Sequence, residues 1–551
     1  MAASRPGGAN SEPCAGIVAD MRPPPVPSFI SDLFVDRVAR GALLAGSVAL
    51  FAAAMDPQTW SPALPSIQAA VRENPQLDTV ILLASISASG LILLGGAVGD
   101  SRRARPVILG GLVVELLASV VALLVPSGPI FLTARLVGHA GAAFVIPVSI
   151  ALVATSYRGA ARATAIGIAY GAYGAAGAAA PILLQLSPGQ QWPGFLAAIV
   201  ACAIAIRIAW PRVIDLRRPS LAERPLVVGV AVWAFGIIAF TVGLTWFDGA
   251  IDNPIRGALI IGGPALVIGY DRLGRARAAL PARIIRRRVA IALFVGVVIA
   301  ISQTAAMLNL PLYFNLVLDY GPLWGMVAVA PLFAALVLAG PVAGFLLERV
   351  QPRWLVGGGM IFVGIGNLVL AIVSTGSASY LGFVIPCLLI GAGFVVATTV
   401  RTAIIFASLP DGLPATAAAL NEASISVGSR IGIVLVSAIV AQVAISTFAA
   451  SVAGLPAADA TAAIAAFRTV LVAVGTPSFN QVATTVASAD IRPYLDAYVA
   501  GLNSAFVFCG VVGVAGGAIA LLAFGRQDPL KTVWDNPAER ASAEPVIEVP
   551  A

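Results

Sequence analysis

Charge is what this sequence has least of. Only 11% of its 551 residues are Asp, Glu, Lys or Arg, and it holds one histidine, His139. A soluble domain carries about 25% charged residues. The chain therefore cannot clothe itself for water, and with 59% hydrophobic residues most of it needs lipid as its solvent. Cysteine is scarce too. Cys14, Cys202, Cys387 and Cys509 stand far apart, which excludes a zinc spacing and a disulfide framework. No GxxxxGK[ST] loop occurs, so ATP is not a direct driver. Nor is there a nucleophile elbow or a His/Cys/Glu metal cluster, so the reading is of a chain that is no enzyme and holds no metal or cofactor. The net charge of +7 does not point to nucleic acid, because the arginines fall in short loops between apolar runs.

What is present is a succession of apolar segments. A spanning helix needs about 20 apolar residues. On that basis about fourteen segments are centred near residues 52, 88, 116, 142, 172, 202, 235, 262, 300, 332, 365, 395, 432 and 511. Arginines follow the even-numbered segments: Arg102, Arg103 and Arg105; Arg158 and Arg162; Arg212, Arg217, Arg218 and Arg224; the run 271–288; Arg349 and Arg353; Arg526 with Lys531. The loops after segments 3, 5 and 11 have none. Even-numbered loops and both termini are expected in the cytoplasm, with the protein in the plasma membrane. Residues 1–38, rich in Pro, Gly and Ser with PPPVP at 23–27, read as a disordered tail rather than a signal peptide.

The basic stretch 271–288 reads as a natural boundary between two halves of the chain, and residues 525–551 as a cytoplasmic tail. Residues 448–497 form a long external loop, read as a solvated insertion or, over DATAAIAAFRTVLVAV at 459–474, an amphipathic helix.

Ionisable groups inside such segments cost roughly 2.5–3.5 kcal/mol each at a helix centre and need a partner or a wet cavity. Arg135 and His139 are four apart and share a helix face. Arg135 and Asp56 lie at similar depth, at about 1.5 Å per residue, and are expected to pair, with His139 one turn deeper. His139 reads as a packing residue or as a group titrating near neutrality. Arg401 and Glu422 flank a short cytoplasmic turn and are expected to meet, as a structural pair or an inner gate. Glu115 has no evident partner. Gln58, Tyr170, Tyr173, Gln303, Asn309 and Asn367 are candidates for lining a substrate path or for joining helices.

These residues carry a resemblance. AGPVAGFLLERVQPRW at 339–354 looks like the loop signature Gly-x-x-x-Asp-Arg-x-Gly-x-Arg of the major facilitator superfamily, filled by Gly344, Glu348, Arg349 and Arg353. GAVGDSRRAR at 96–105 resembles its first copy, through Gly96, Asp100 and Arg105. The best match runs over 309–333, and the likeness extends over about 39–525. MDPQTWSPALP at 55–65 resembles the first helix of the fourteen-helix drug/proton antiporter branch, and 409–432 the start of its thirteenth. In the fourth helix Arg135 matches the arginine of Arg-x-x-Gln-Gly, with Gly138 and His139 in the last two places. The fifth-helix antiporter signature keeps Pro181 but has Ala180, Leu184 and Gln185 where glycines belong.

The resemblance implies an all-α integral membrane protein with the major-facilitator fold and fourteen spans, with two six-helix bundles at 39–213 and 289–524 separated by a linker helix pair over 224–270 and the basic connector over 271–288. It implies a secondary transporter exporting amphipathic, drug-like small molecules by proton antiport, with protons as the coupling ion, Arg135 in the central cavity, and membrane lipid around a monomer. The loop signature implies a switch, in which a carboxylate pairs with loop arginines and faces a helix N-terminus. Two other functions remain open. One is a facilitator or exporter of one specific metabolite or lipid without proton antiport. The other is a non-transporting receptor or assembly protein.

Overall fold

The structure, a computed structural model, describes residues 36–71, 90–125, 128–157, 159–184, 192–213, 227–245, 254–273, 287–347, 349–409, 412–473 and 492–525. Every regular element among the described residues is a helix. Lipid offers no hydrogen-bond partner, so a chain this apolar satisfies its backbone within each segment. The helices are α1 (Arg37–Val71), α2 (Gly90–Ser101), α3 (Ala104–Leu124), α4 (Gly128–Ser156), α5 (Gly159–Leu184) and α6 (Trp192–Ala209). Then come α7 (Val227–Thr245), α8 (Pro254–Leu273), α9 (Arg287–Leu316), α10 (Pro322–Val327), α11 (Ala330–Leu347) and α12 (Pro352–Val373). The last are α13 (Leu381–Ser408), α14 (Pro414–Ser451), α15 (Ala457–Ala473) and α16 (Arg492–Ala523).

The expected segment centre near 88 lies outside the described residues, and α2 begins just after it; the other centres fall within described helices. Ten helices are long and apolar enough to cross a membrane, and two more, Gly90–Ser101 and Val228–Leu244, are apolar but shorter. By length and composition the expected fourteen are therefore not all reached among the described residues. Physical reasons are visible in two cases. Helix α5 is built from Ala and Gly, because α1 and α11 press on it from both sides. Helix α8 carries Arg256, Asp271 and Arg272, and Asp271 accepts the Trp233 indole N–H from α7 at 3.1 Å.

Helices α1 and α3 to α6 pack around one alanine-rich core, while Ile92, Leu93 and Ala97 of α2 join the larger core of the other helices. Helices α9 to α16 pack around a second, larger core. The two sets meet where α5 lies against α11 and α13, and where α4 lies against α14. Helix α7 rests on α14.

Over 448–497 the structure adds detail to the sequence reading. Helix α14 has 38 residues, more than the about 20 that a hydrocarbon core needs. There the expected amphipathic helix exists as α15, and it is docked rather than solvated. Phe467 of α15 is buried and stacks on Phe448 at 4.4 Å between ring centroids. Tyr494 of α16 closes the cluster at 4.8 Å from Phe448. Residues 474–491 lie outside the described residues.

Candidate functional site

The seam between the two helix sets carries the polar chemistry. At the arginine-flanked end of α2, Gly96 lets α14 come close; a Cβ there would overlap Ala415 and Ala419. One turn on, Asp100 is 2% exposed. Its two carboxylate oxygens accept the backbone N–H groups of Ala415 and Thr416, both at 2.8 Å. The local sequence explains why. The first N–H groups of a helix have no internal partner and carry the positive end of its dipole. Helix α14 starts on Pro414, and its N-cap residue Leu413 offers no side-chain oxygen. Asp100 supplies the missing cap from the other helix set. Arg105, expected beside Asp100, instead lies with its guanidinium 5.0 Å from the Trp210 ring centroid, because both carboxylate oxygens are already directed at α14.

The second copy of the signature is arranged differently. Gly344 on α11 again marks a close approach across the seam, since a Cβ there would overlap Thr164 on α5. Arg349 is exposed and lies 4.3 Å from the Phe345 ring centroid. Arg353 lies 5.2 Å from that of Trp354. Glu348 is outside the described residues.

Deeper along the seam a network joins α5, α13 and α14. The Tyr170 hydroxyl on α5 donates to Glu422 Oε1 on α14 at 2.6 Å. Asn421 Nδ2 donates to the same hydroxyl at 2.8 Å and to Glu422 Oε1 at 3.0 Å. Thr402 Oγ1 on α13 lies 3.2 Å from the Tyr170 oxygen. Arg401, fully buried, donates to Ser424 Oγ at 2.8 Å and to the Ala292 carbonyl at 3.2 Å. The expected Arg401–Glu422 contact is therefore not a direct hydrogen bond. Each group is claimed by nearer partners, and the two act on one another only through charge. Tyr173, one turn along α5, faces Glu422 and Arg430.

Arg135 sits elsewhere. It is 1% exposed, with its guanidinium 5.3 Å from the Phe195 ring centroid on α6. The Cβ position of Gly138 lies 3.3 Å from Arg135 Nη2 and 3.2 Å from the Ala118 methyl on α3. These neighbours belong to α3 and α6, in the same helix set. The side chain of Asp56, its expected partner, lies outside the described residues, as do those of Gln58 and Pro181. His139 Nδ1 contacts the Arg135 carbonyl at 2.8 Å; a carbonyl only accepts, so Nδ1 carries the hydrogen. Glu115, on α3, is fully buried. Among the other path candidates, Asn367 donates to the Ser302 and Val363 carbonyls at 3.1 and 2.9 Å, which ties α12 to α9. Asn309 reaches back to the Ala305 carbonyl at 3.4 Å, and Gln303 is buried on α9.

Sequence reasoning found Asp100, Tyr170 and Glu422 but not their connections. It missed Asn421, Thr402 and Ser424. Asn421 adjoins Glu422 in the chain, Thr402 adjoins Arg401 and Ser424 lies two residues past Glu422, so the one available signal was polar residues clustering beside charged ones in apolar helices.

A profile of the Major Facilitator Superfamily matches residues 46–433 of this chain. The chain is similar to the puromycin resistance protein pur8 of Streptomyces alboniger, 27% identical over an alignment of 401 residues that covers 68% of this chain and 77% of that protein. It is similar to the cephamycin export protein CmcT of Amycolatopsis lactamdurans, 26% identical over 364 residues, 64% of this chain and 75% of that one. Among solved structures, the human organic anion transporter MFSD10 (TETRAN) matches with a TM-score of 0.55 at 13% identity, covering 88% of this chain and 99% of the other. That likeness concerns the fold.

Proposed function

The chain belongs to the major facilitator superfamily, and from that premise we propose that it exports amphipathic, drug-like small molecules by proton antiport with alternating access. It is a multi-pass membrane transporter and not an enzyme. The observation that carries the alternating-access reading is the buried Asp100 carboxylate capping α14 across the seam. Rocking the two helix sets apart uncaps a helix and strands a carboxylate, so the contact holds one state and must be released in the other. Relatives named for puromycin resistance and cephamycin export support efflux of small molecules.

In this reading Asp56, Arg135 and His139 handle the coupling proton, and no cofactor is bound. The chain works as a monomer in the plasma membrane with both termini in the cytoplasm. Its two bundles span 39–213 and 289–524, joined by the linker pair. The residues in place of the glycines of the antiporter signature, Ala180, Leu184 and Gln185, favour the second reading, export without proton antiport.

The test is transport into inside-out vesicles from cells expressing the chain, with puromycin, a cephamycin and a panel of dyes. Accumulation that collapses with the pH gradient is expected. Accumulation insensitive to the gradient selects the uncoupled reading. Movement of no compound in the panel contradicts drug export.

A further inference from the structure

The network around Tyr170 has more positions for hydrogens than one protonation state uses. A tyrosine hydroxyl donates once and accepts twice. Asn421 Nδ2 occupies one acceptor position at 2.8 Å. The single hydroxyl hydrogen then has two destinations, Glu422 Oε1 at 2.6 Å and Thr402 Oγ1 at 3.2 Å. Thr402 has its own hydrogen committed, since its hydroxyl lies 2.7 Å from the Thr398 carbonyl. It therefore presents a lone pair to Tyr170.

Two hydrogen arrangements fit the same heavy atoms. With Glu422 ionised, Tyr170 donates to the carboxylate, a charge-assisted bond in keeping with its short length. With Glu422 protonated, the new carboxyl O–H donates to the Tyr170 oxygen, and the tyrosine hydrogen turns to Thr402. The only change in composition is one proton gained on Glu422, and the Tyr170, Glu422 and Thr402 oxygens that exchange the hydrogen keep a partner in both states.

We propose that Glu422, Tyr170 and Thr402 form a proton-binding site on the seam, in which Tyr170 donates to Glu422 or accepts from it according to the state of the carboxyl group. Other groups facing the site are Arg401 from α13 and Tyr173 from α5, with Arg430 beyond Tyr173 on α14. Arg401 is fixed by Ser424 and the Ala292 carbonyl, so its charge stays in place whichever arrangement holds.

The site also senses the seam. Tyr170 belongs to one helix set, while Thr402, Asn421 and Glu422 belong to the other. Glu422 lies six to seven residues beyond the Asp100 contacts, about 10 Å up the same helix. Parting of α5 from α14 removes from Glu422 its strongest donor and leaves Asn421. Protonation of Glu422 and opening of the seam are then linked, each favouring the other. The site stands by itself; its use in coupling rests on the antiport reading.

Infrared difference spectroscopy on the purified full-length protein tests this. Acidification should produce the band of a protonated carboxyl group that is absent from Glu422→Gln. Two further variants move that band in opposite directions. Tyr170→Phe removes the donor to the ionised form, and the band should appear at higher pH, by about one unit, the equivalent of one net hydrogen bond. Thr402→Val removes only the acceptor used by the neutral form, and the band should appear at lower pH. If Glu422→Gln does not reach the membrane, the opposed shifts decide alone. An unaltered titration in Glu422→Gln, or shifts of the same sign in the other two, overturns the proposal. Liposomes loaded with a pH-sensitive dye separate the two claims: opposed band shifts with no proton movement during transport remove antiport and leave the site standing.

Discussion

The two copies of the loop signature share a close-approach glycine and an arginine over a tryptophan ring, and among the described residues a carboxylate reaching across the seam belongs to the first copy. At Gly96 and at Gly344 the missing side chain lets a helix of one set touch a helix of the other. Beyond Gly96 the first copy sends a buried carboxylate across the seam into the N-terminus of α14. Beyond Gly344 the described part of the second copy stays on its own side, with Arg349 on Phe345 and Arg353 on Trp354. The comparison separates two jobs. The glycine sets how closely the sets approach, and the carboxylate sets whether a polar bond locks that approach.

The largest effects should come from the glycine the copies share. Gly344→Val drives a branched side chain into the Thr164 backbone, and Gly96→Val does so at Ala415. Overpacking of this kind costs about 1–3 kcal/mol. Both variants should lose several degrees of melting temperature and most of their transport, to a similar extent. Tolerance of valine at one site only would break the parallel.

Next in size is the carboxylate described in the first copy. Asp100→Ala removes the side-chain cap of α14 seen among the described residues, worth about 1–2 kcal/mol by analogy with N-cap deletions. Adding Leu413→Ser returns a cap from within α14 and should restore much of the melting temperature without restoring the seam. Differential scanning fluorimetry reads the first and a transport assay the second. Recovery of both would mean that Asp100 serves only helix stability.

Arg349→Ala should have the smallest effect. The side chain is exposed on an aromatic ring, and surface changes of this kind move stability little. Its melting temperature should match that of the unaltered protein, and its transport rate should fall less than that of Asp100→Ala. A larger loss than Asp100→Ala shows would place the switch in the second copy.

Much of the architecture was legible because lipid imposes a simple rule, long apolar runs closed by arginine loops, and most helices stand where those runs do. Helix α5 was legible as a segment but not as one packed closely against both α1 and α11, since Ala and Gly are weak signals of hydropathy and strong signals of close packing. The site was legible residue by residue. Depth arguments placed Arg401 near Glu422 correctly, yet they ignore competition, and Ser424 and Tyr170 outbid the pair. Nothing in the sequence shows that Leu413, a poor cap, would borrow a carboxylate some three hundred residues earlier in the chain.

The central claim is that Asp100 holds the two helix sets together at the arginine-flanked end. Electron–electron double resonance between spin labels at the exposed positions 102 and 349, one on each helix set, measures that directly. The account predicts that Asp100→Ala shifts the distance distribution toward a longer, separated population in the absence of substrate. A distribution identical to that of the protein retaining Asp100 would contradict it.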